Sequence, residues 1–263
     1  MAFESGLLWK LSFKNTLNSY LFGTIHLNSS ILNDNRILFS SLLNQCNAFA
    51  AEIDMDKMEF SNMQSYFRLP DGQNWKEAFK NNQWDKMQSI SKKLFHLDLD
   101  QFSTIYPLLL INQLSLQLIG RQQEKSLDQI LWEMATEAGL EKIGLEDFHR
   151  HFSMIEEIKL SDQLKMLKDL FSNLHGSRKL YLKMISDYQK QDNRSIYHIS
   201  RKMLGKYRTI MLIHRNHIIS NRIAEIGTSK TCFFTCGAGH LYGNQGVLRN
   251  LKKQGIKLQP VNI

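Results

Sequence analysis

Short apolar runs near the two ends of the chain alternate with polar stretches that have helical spacing. Residues 7–13 and 20–25 are rich in apolar and aromatic side chains and flank a polar segment, which predicts an opening β-hairpin. Apolar positions then recur at helical spacing over 34–44, and an apolar run at 48–53 predicts the next strand. Strands that alternate with helices are typical of an α/β protein.

The rest of the chain extends the same pattern. Residues 54–139 are mostly helical in spacing, and we interpret them as a large helical insertion that shapes a substrate pocket. A short strand is predicted at 140–145, and helical spacing returns over 152–225. A final strand, helix and strand are predicted at 232–236, 246–254 and 256–261. We therefore expect one α/β domain over residues 1–263, with a mixed, mostly parallel sheet and an N-terminal hairpin.

Four of the predicted strands end in a residue that can ionise. These residues are His26, Glu52, Glu146 and His240. A single histidine or glutamate in such a place is usually just the first solvated position. The carboxyl ends of strands in open α/β sheets, however, are where ligands bind. Two imidazoles and two carboxylates at one edge have the composition of a divalent metal site.

Glycines near these strand ends support a site. Glycine weakens a strand unless the backbone must bend or another group must come close. The glycines in question are Gly23, Gly144, Gly237 and Gly239.

Arg215 and Asn216 fall on the apolar stripe of a helix predicted over 211–226. A guanidinium on a core-facing stripe needs an anionic partner. Two interpretations remain open. The arginine forms a structural salt bridge, to Glu146 or Glu52, or it holds a carboxylate or an oxyanion that forms during a reaction.

Composition excludes several classes of protein. With 263 residues, 43% hydrophobic and 22% charged, the chain is long enough for a substantial core and too well mixed to be disordered. The net charge of +8 is spread along the chain, so we expect no nucleic-acid partner. Three cysteines do not indicate a disulfide framework, and no apolar stretch predicts a transmembrane segment. The first residues lack the features of a secretory signal. We expect a cytoplasmic protein if the sequence is complete, and a periplasmic or extracellular one if a leader was removed.

Other catalytic and binding motifs find no support. The glycines at 237–243 resemble a dinucleotide fingerprint, but their spacing is one residue too long and no acidic residue follows. The zincin, α/β-hydrolase and zinc-ribbon motifs do not occur. Four further histidines are interpreted as surface imidazoles because of their charged or polar surroundings; they are His149, His151, His214 and His217.

Taken together, these segments resemble the TraB/PrgY/GumN family, which is related to the animal Tiki proteases. The first motif is Ser19-Tyr-Leu-Phe-Gly-Thr-Ile-His26, preceded by Leu7-Leu-Trp-Lys-Leu. The second is Gly237-Ala-Gly-His240-Leu-Tyr-Gly-Asn-Gln-Gly-Val-Leu. Between them the family's order is kept by Ala50-Ala-Glu52, Leu127-Asp128 with Ala135, Ile143-Gly-Leu-Glu146-Asp, and His214-Arg-Asn216. Asp147 stands where members often carry threonine.

The resemblance implies a metal-dependent hydrolase, and more narrowly a peptidase. We hypothesise that His26, Glu52 and His240 bind a divalent ion, with Mn²⁺ or Co²⁺ favoured over Zn²⁺ or Fe²⁺. Glu146 would accept a proton from the bound water or orient it, and the two glutamates could exchange these roles. Arg215, steadied by Asn216, would stabilise an oxyanion.

Two alternatives stand beside the hydrolase. One is a regulatory module that binds a small peptide or a haem-like ligand without turning it over. The other is metal-independent hydrolysis of a small ester, with a histidine as base. The substrate, peptide or small molecule, and the oligomeric state are not indicated by the sequence.

Overall fold

The sheet predicted from the apolar runs is present. A computed structural model describes residues 5–14, 18–25, 30–57, 66–70, 72–120 and 125–263. Within these ranges six strands form one sheet in the order β4-β3-β5-β2-β1-β6. The strands are β1 Leu8–Ser12, β2 Ser19–Thr24, β3 Ala48–Ala51, β4 Glu141–Gly144, β5 Cys232–Gly237 and β6 Lys257–Val261.

The sheet is mixed and mostly parallel, as predicted. Strands β4, β3, β5 and β2 pair in parallel, whereas β1 pairs antiparallel with both β2 and β6. The predicted N-terminal hairpin is therefore confirmed as β1 and β2. Strands β2, β3 and β5 are buried almost throughout, as parallel strands covered on both faces should be. Four parallel strands bring their carboxyl ends to one edge of the sheet.

Helices make up most of the remaining described residues. They are α1 Ser30–Asp34, α2 Arg36–Leu43, α3 Asn81–Phe95, α4 Pro107–Leu118, α5 Leu127–Glu137, α6 Phe148–Ser153, α7 Leu160–Ser172, α8 Leu174–Gln189, α9 Asn193–Leu204, α10 Arg215–Gly227 and α11 Val247–Lys253. A π-helical turn, Thr209–His214, leads into α10, and a 3₁₀ turn, Ala238–His240, follows β5.

The chain groups into two compact units. The first comprises Met1–Lys57, Glu124–His151 and Met184–Ile263, and it contains the whole sheet. The second comprises Met58–Gln123 and Phe152–Lys183, and its described elements are helical with a core of their own. Helix α5, which the sequence placed in the insertion at 54–139, packs on β3 and β4 of the first unit. One domain over residues 1–263 remains a prediction.

The three cysteines form no disulfide framework, as their number predicts. Cys46, Cys232 and Cys236 are buried and free, as small apolar side chains would be. Among the described residues, no helix combines the length and the apolar content needed to cross a membrane.

Tyr188 forms a buried hydrogen bond with the backbone near the end of strand β2. Its side chain is fully buried, and its hydroxyl donates a hydrogen bond of 2.7 Å to the carbonyl oxygen of Gly23. Replacing Tyr188 with phenylalanine leaves that buried carbonyl without this donor. We expect the free energy of unfolding, measured in urea, to fall by about 1–2 kcal/mol.

Tyr20 provides the matched control for this substitution. Its hydroxyl donates to the side-chain oxygen of Gln45 in a partly exposed place, where water can take over the bond. Tyr20→Phe should therefore cost about 0.5 kcal/mol or less. Equal losses in the two variants would show that the Gly23 contact has no special weight.

Candidate functional site

Strand β5 ends beside strand β3 through a direct contact. The backbone N–H of Gly237 donates a 2.7 Å hydrogen bond to Oε1 of Glu52, which follows β3. A Cβ atom at Gly237 would lie 3.3 Å from that same oxygen, which is tighter than an ordinary contact. The close approach explains the glycine at this position, as the sequence predicted.

Gly239 and Gly23 also permit close packing. A Cβ at Gly239 would lie 2.8 Å from Oγ of Ser200 on helix α9. A Cβ at Gly23 would lie 2.5 Å from Cδ1 of Leu241 and 3.2 Å from Cα of Ala238. The segment that carries His240 is thus pressed between α9 and the end of β2.

His240 is buried in this turn, and its ring orientation is set by Asn216. The Asn216 side chain donates its amide N–H to the carbonyl of Gln245 at 2.7 Å, so its oxygen Oδ1 faces Nδ1 of His240 at 2.6 Å. Because an amide oxygen can only accept, Nδ1 carries the ring proton. In the neutral ring Nε2 then holds the lone pair, and Nε2 lies 3.9 Å from Oε1 of Glu52. These contacts assign Asn216 to His240 rather than to Arg215.

Arg215 binds both strand-end carboxylates. Its Nε lies 3.0 Å from each oxygen of Glu146, and its Nη2 lies 2.7 Å from Glu146 Oε2 and 2.5 Å from Glu52 Oε2. Burial acts to lower the pKa of the guanidinium, but the charge of Glu52 and the bonds to Glu146 outweigh it, and the pKa is raised. The buried arginine therefore has two anionic partners, Glu52 and Glu146, the two that the sequence predicted as alternatives.

Glu146 is buried and remains ionised because of its partners. Burial alone would raise the pKa of this carboxyl, but hydrogen bonds from His151 and Arg215, together with the charge of Arg215, hold the pKa below its ordinary value. The charge of Glu52 acts in the opposite direction and does not reverse the result. A carboxylate of lowered pKa is a weak proton acceptor.

His151 belongs to the site, contrary to its interpretation as a surface imidazole. Its Nδ1 lies 3.0 Å from Glu146 Oε2, and its side chain is only 23% exposed. An ionised carboxylate can only accept, so Nδ1 donates this bond. The charged neighbours of His151 in the sequence indicated a surface position. In the structure, however, His151 lies on helix α6, and its side chain contacts Glu146. His149, His214 and His217 are exposed, as predicted.

The predicted site residues are close together where the structure describes them. Glu52, Glu146 and His240 follow three adjacent parallel strands, and Arg215 links the two carboxylates. His26, the remaining predicted ligand, lies outside the described residues; its strand β2 is the neighbour of β5. The metal and catalytic roles of all six residues stay predictions.

Two groups of atoms have the chemistry of metal ligands. In the first, Nε2 of His240 and Oε1 of Glu52 are 3.9 Å apart. Ligands that each lie about 2.0–2.2 Å from one ion are roughly 3–4 Å from each other, so this pair fits a shared divalent ion. In the second, Glu52, Glu146 and His151 each offer an atom within 4.8 Å of the others. Arg215 donates to both carboxylates of this second group, and the Glu52 oxygen that it binds is Oε2 rather than the Oε1 of the first group.

The comparison with known families confirms the resemblance seen in the sequence. The model of the TraB/PrgY/gumN family matches residues 7–260, which is nearly the whole chain. Comparison with curated proteins and with solved structures gave no match.

Proposed function

The chain belongs to the TraB/PrgY/gumN family, and we propose that it is a metal-dependent hydrolase that cleaves peptide bonds. The proposed ligands are His26, Glu52 and His240, and the proposed ion is Mn²⁺ or Co²⁺, with Zn²⁺ and Fe²⁺ as the other candidates. When bound, such an ion acts as a Lewis acid that lowers the pKa of water and polarises a carbonyl.

One observation carries this proposal: Asn216 fixes the tautomer of a buried histidine. Holding the proton on Nδ1 leaves the lone pair of the neutral His240 ring on Nε2, the atom that lies 3.9 Å from Glu52 Oε1. Metal-binding histidines are commonly oriented in this way by a hydrogen bond to the other ring nitrogen. A histidine that only filled the core would not need a carboxylate opposite its second nitrogen.

Glu146 and Arg215 act as a positioning pair in this proposal. The lowered pKa of Glu146 favours a role in orienting groups over a role in proton transfer, and its bonds to Arg215 also fix the Glu52 carboxylate. Arg215 uses Nε and Nη2 for these bonds. Its Nη1 makes no hydrogen bond to a described residue, and we assign this donor to the oxyanion of the reaction.

Asn216 should control metal affinity without contacting the ion. Replacing it with alanine removes the acceptor of the His240 Nδ1 proton, so we expect the affinity for Mn²⁺, measured by titration calorimetry, to fall by about 10–100-fold. Asn250 is the matched control because it donates to the same Gln245 carbonyl, at 3.5 Å, and has no bond to His240. Asn250→Ala should keep the affinity of the wild type. Similar losses in both variants would show that the Gln245 loop, and not the tautomer, sets the affinity.

A peptide-library assay tests the activity itself. The protein is stripped with chelator, desalted, and incubated with the library in the absence and presence of Mn²⁺ or Co²⁺. Cleavage that requires the ion supports the proposal. Cleavage that survives chelation would favour metal-independent hydrolysis, and saturable binding without product would favour a regulatory module.

A further inference from the structure

One atom of Arg215 lies among three side chains of the types that bind metal ions, two carboxylates and an imidazole. Its Nη2 is 2.5 Å from Glu52 Oε2, 2.7 Å from Glu146 Oε2 and 3.4 Å from His151 Nδ1. These three residues are the group whose ligand atoms lie within 4.8 Å of one another. The guanidinium thus takes the central position of a carboxylate–carboxylate–imidazole cluster.

The negative charges of Glu52 and Glu146 require a cation between the two carboxylates. Glu52 and Glu146 are largely buried, and two ionised carboxylates so close together need a positive partner. Arg215 supplies that charge, and it binds Glu146 with two nitrogens as a fork. Unlike a hydrated ion, this cation is covalently attached and does not exchange.

The two oxygens of Glu52 have different partners. Oε1 faces Nε2 of His240, and Oε2 accepts from Arg215. In centres that hold two metal ions, a carboxylate in such a place bridges ions about 3.5–4 Å apart. Here the second position belongs to the guanidinium.

We propose that Arg215 is the built-in second cation of this centre, so that the protein takes one divalent ion, and that Glu52, Glu146 and His151 become a second divalent-ion site when the guanidinium is removed. The statement that the wild type takes one ion rests on the proposed function. The second site does not, because it is measured as a difference from the wild type.

The test compares bound metal in four proteins after incubation with Mn²⁺ or Zn²⁺ and desalting. They are the wild type, Arg215→Met, Arg215→Lys, and the double variant Arg215→Met with Glu146→Gln. We expect Arg215→Met to hold one equivalent more than the wild type by elemental analysis. Arg215→Lys keeps the positive charge, and the double variant removes one carboxylate ligand, so both should hold the same amount as the wild type.

Thermal unfolding with and without the ion gives a second readout. Arg215→Met should unfold at a much lower temperature than the wild type without metal, and the ion should restore most of that loss, because it replaces the missing charge. The double variant has one buried charge fewer and should show no comparable recovery.

The outcomes separate this inference from the proposed function. An Arg215→Met protein that binds no more metal than the wild type, or that is unfolded both with and without the ion, overturns the inference. An extra equivalent that persists in the double variant overturns it too, because the ion would then lie elsewhere. If the wild type binds no ion and Arg215→Met binds one, the second-site part of the inference stands, and both the one-ion statement and the proposed function fail.

Discussion

Replacing Glu146 with glutamine is expected to lower the free energy of unfolding by about 3–5 kcal/mol. The substitution keeps the size of the side chain but removes the charge that two nitrogens of Arg215 bind. The buried guanidinium of Arg215 then has one carboxylate partner, Glu52, instead of two. Removing one member of a buried ion pair is costly because it leaves the charge of the other without compensation. Urea denaturation monitored by circular dichroism measures the loss.

The matched control is Glu141→Gln, on the same strand segment. Glu141 pairs with Lys230 at the surface, and its side chain is 54% exposed. Exposed pairs contribute about 0–1 kcal/mol, so this variant should remain close to the wild type. A loss of similar size in both variants would contradict a special role for the buried network.

The cost of Glu146→Gln should also depend on pH. The folded-state pKa of Glu146 lies below its ordinary value of 4.5, so the ionised group stabilises the fold above that pH and this contribution is lost as the pH falls further. The glutamine variant has no such charge. The difference in unfolding free energy between the two proteins should therefore be full near neutral pH and shrink below pH 4.5. A constant difference down to pH 3 would point to packing rather than charge.

Replacing His240 with alanine should reduce the affinity for the divalent ion by more than about 100-fold. This exceeds the loss of about 10–100-fold that is typical when a residue hydrogen-bonded to a metal ligand is replaced. Its Nε2 lies 3.9 Å from Glu52 Oε1, while Nδ1 is bound to Asn216. Ion-dependent peptide cleavage should fall to background in the same variant. Titration calorimetry with Mn²⁺ gives the affinity, and circular dichroism confirms that the variant is folded.

Two other histidines make this result specific. His214 and His217 flank the Arg215–Asn216 pair in sequence but are exposed to solvent. His214→Ala and His217→Ala should bind the ion as the wild type does. Undiminished binding by His240→Ala, or an equal loss in the exposed variants, would exclude His240 as a ligand.

The parts of the fold that follow from local pattern were predictable. Two short apolar runs on either side of a polar segment predict the hairpin. The other apolar runs predict the parallel strands, because strands that are buried on both faces are apolar throughout. Because the carboxyl ends of parallel strands share one edge of the sheet, the sequence predicts that Glu52, Glu146 and His240 lie close together. A charged residue on a core-facing stripe identified Arg215 and limited its partners to two glutamates.

What the sequence could not supply are contacts between distant elements. The bond from Asn216 to His240 depends on how the start of α10 faces the turn after β5, and no periodicity encodes that. His151 was interpreted as a surface residue because its neighbours are charged, but its burial depends on the direction in which α6 leaves Glu146. Helix α5 was assigned to the insertion because its spacing is helical, whereas its packing on β3 and β4 depends on tertiary contacts.

An anomalous-difference map from a crystal of the wild-type protein grown with Mn²⁺ would locate the ion directly. We expect one peak, about 2.0–2.2 Å from both His240 Nε2 and Glu52 Oε1, with Arg215 still bound to Glu146. No peak at that position, or a peak among Glu52, Glu146 and His151 with Arg215 displaced, would contradict this expectation.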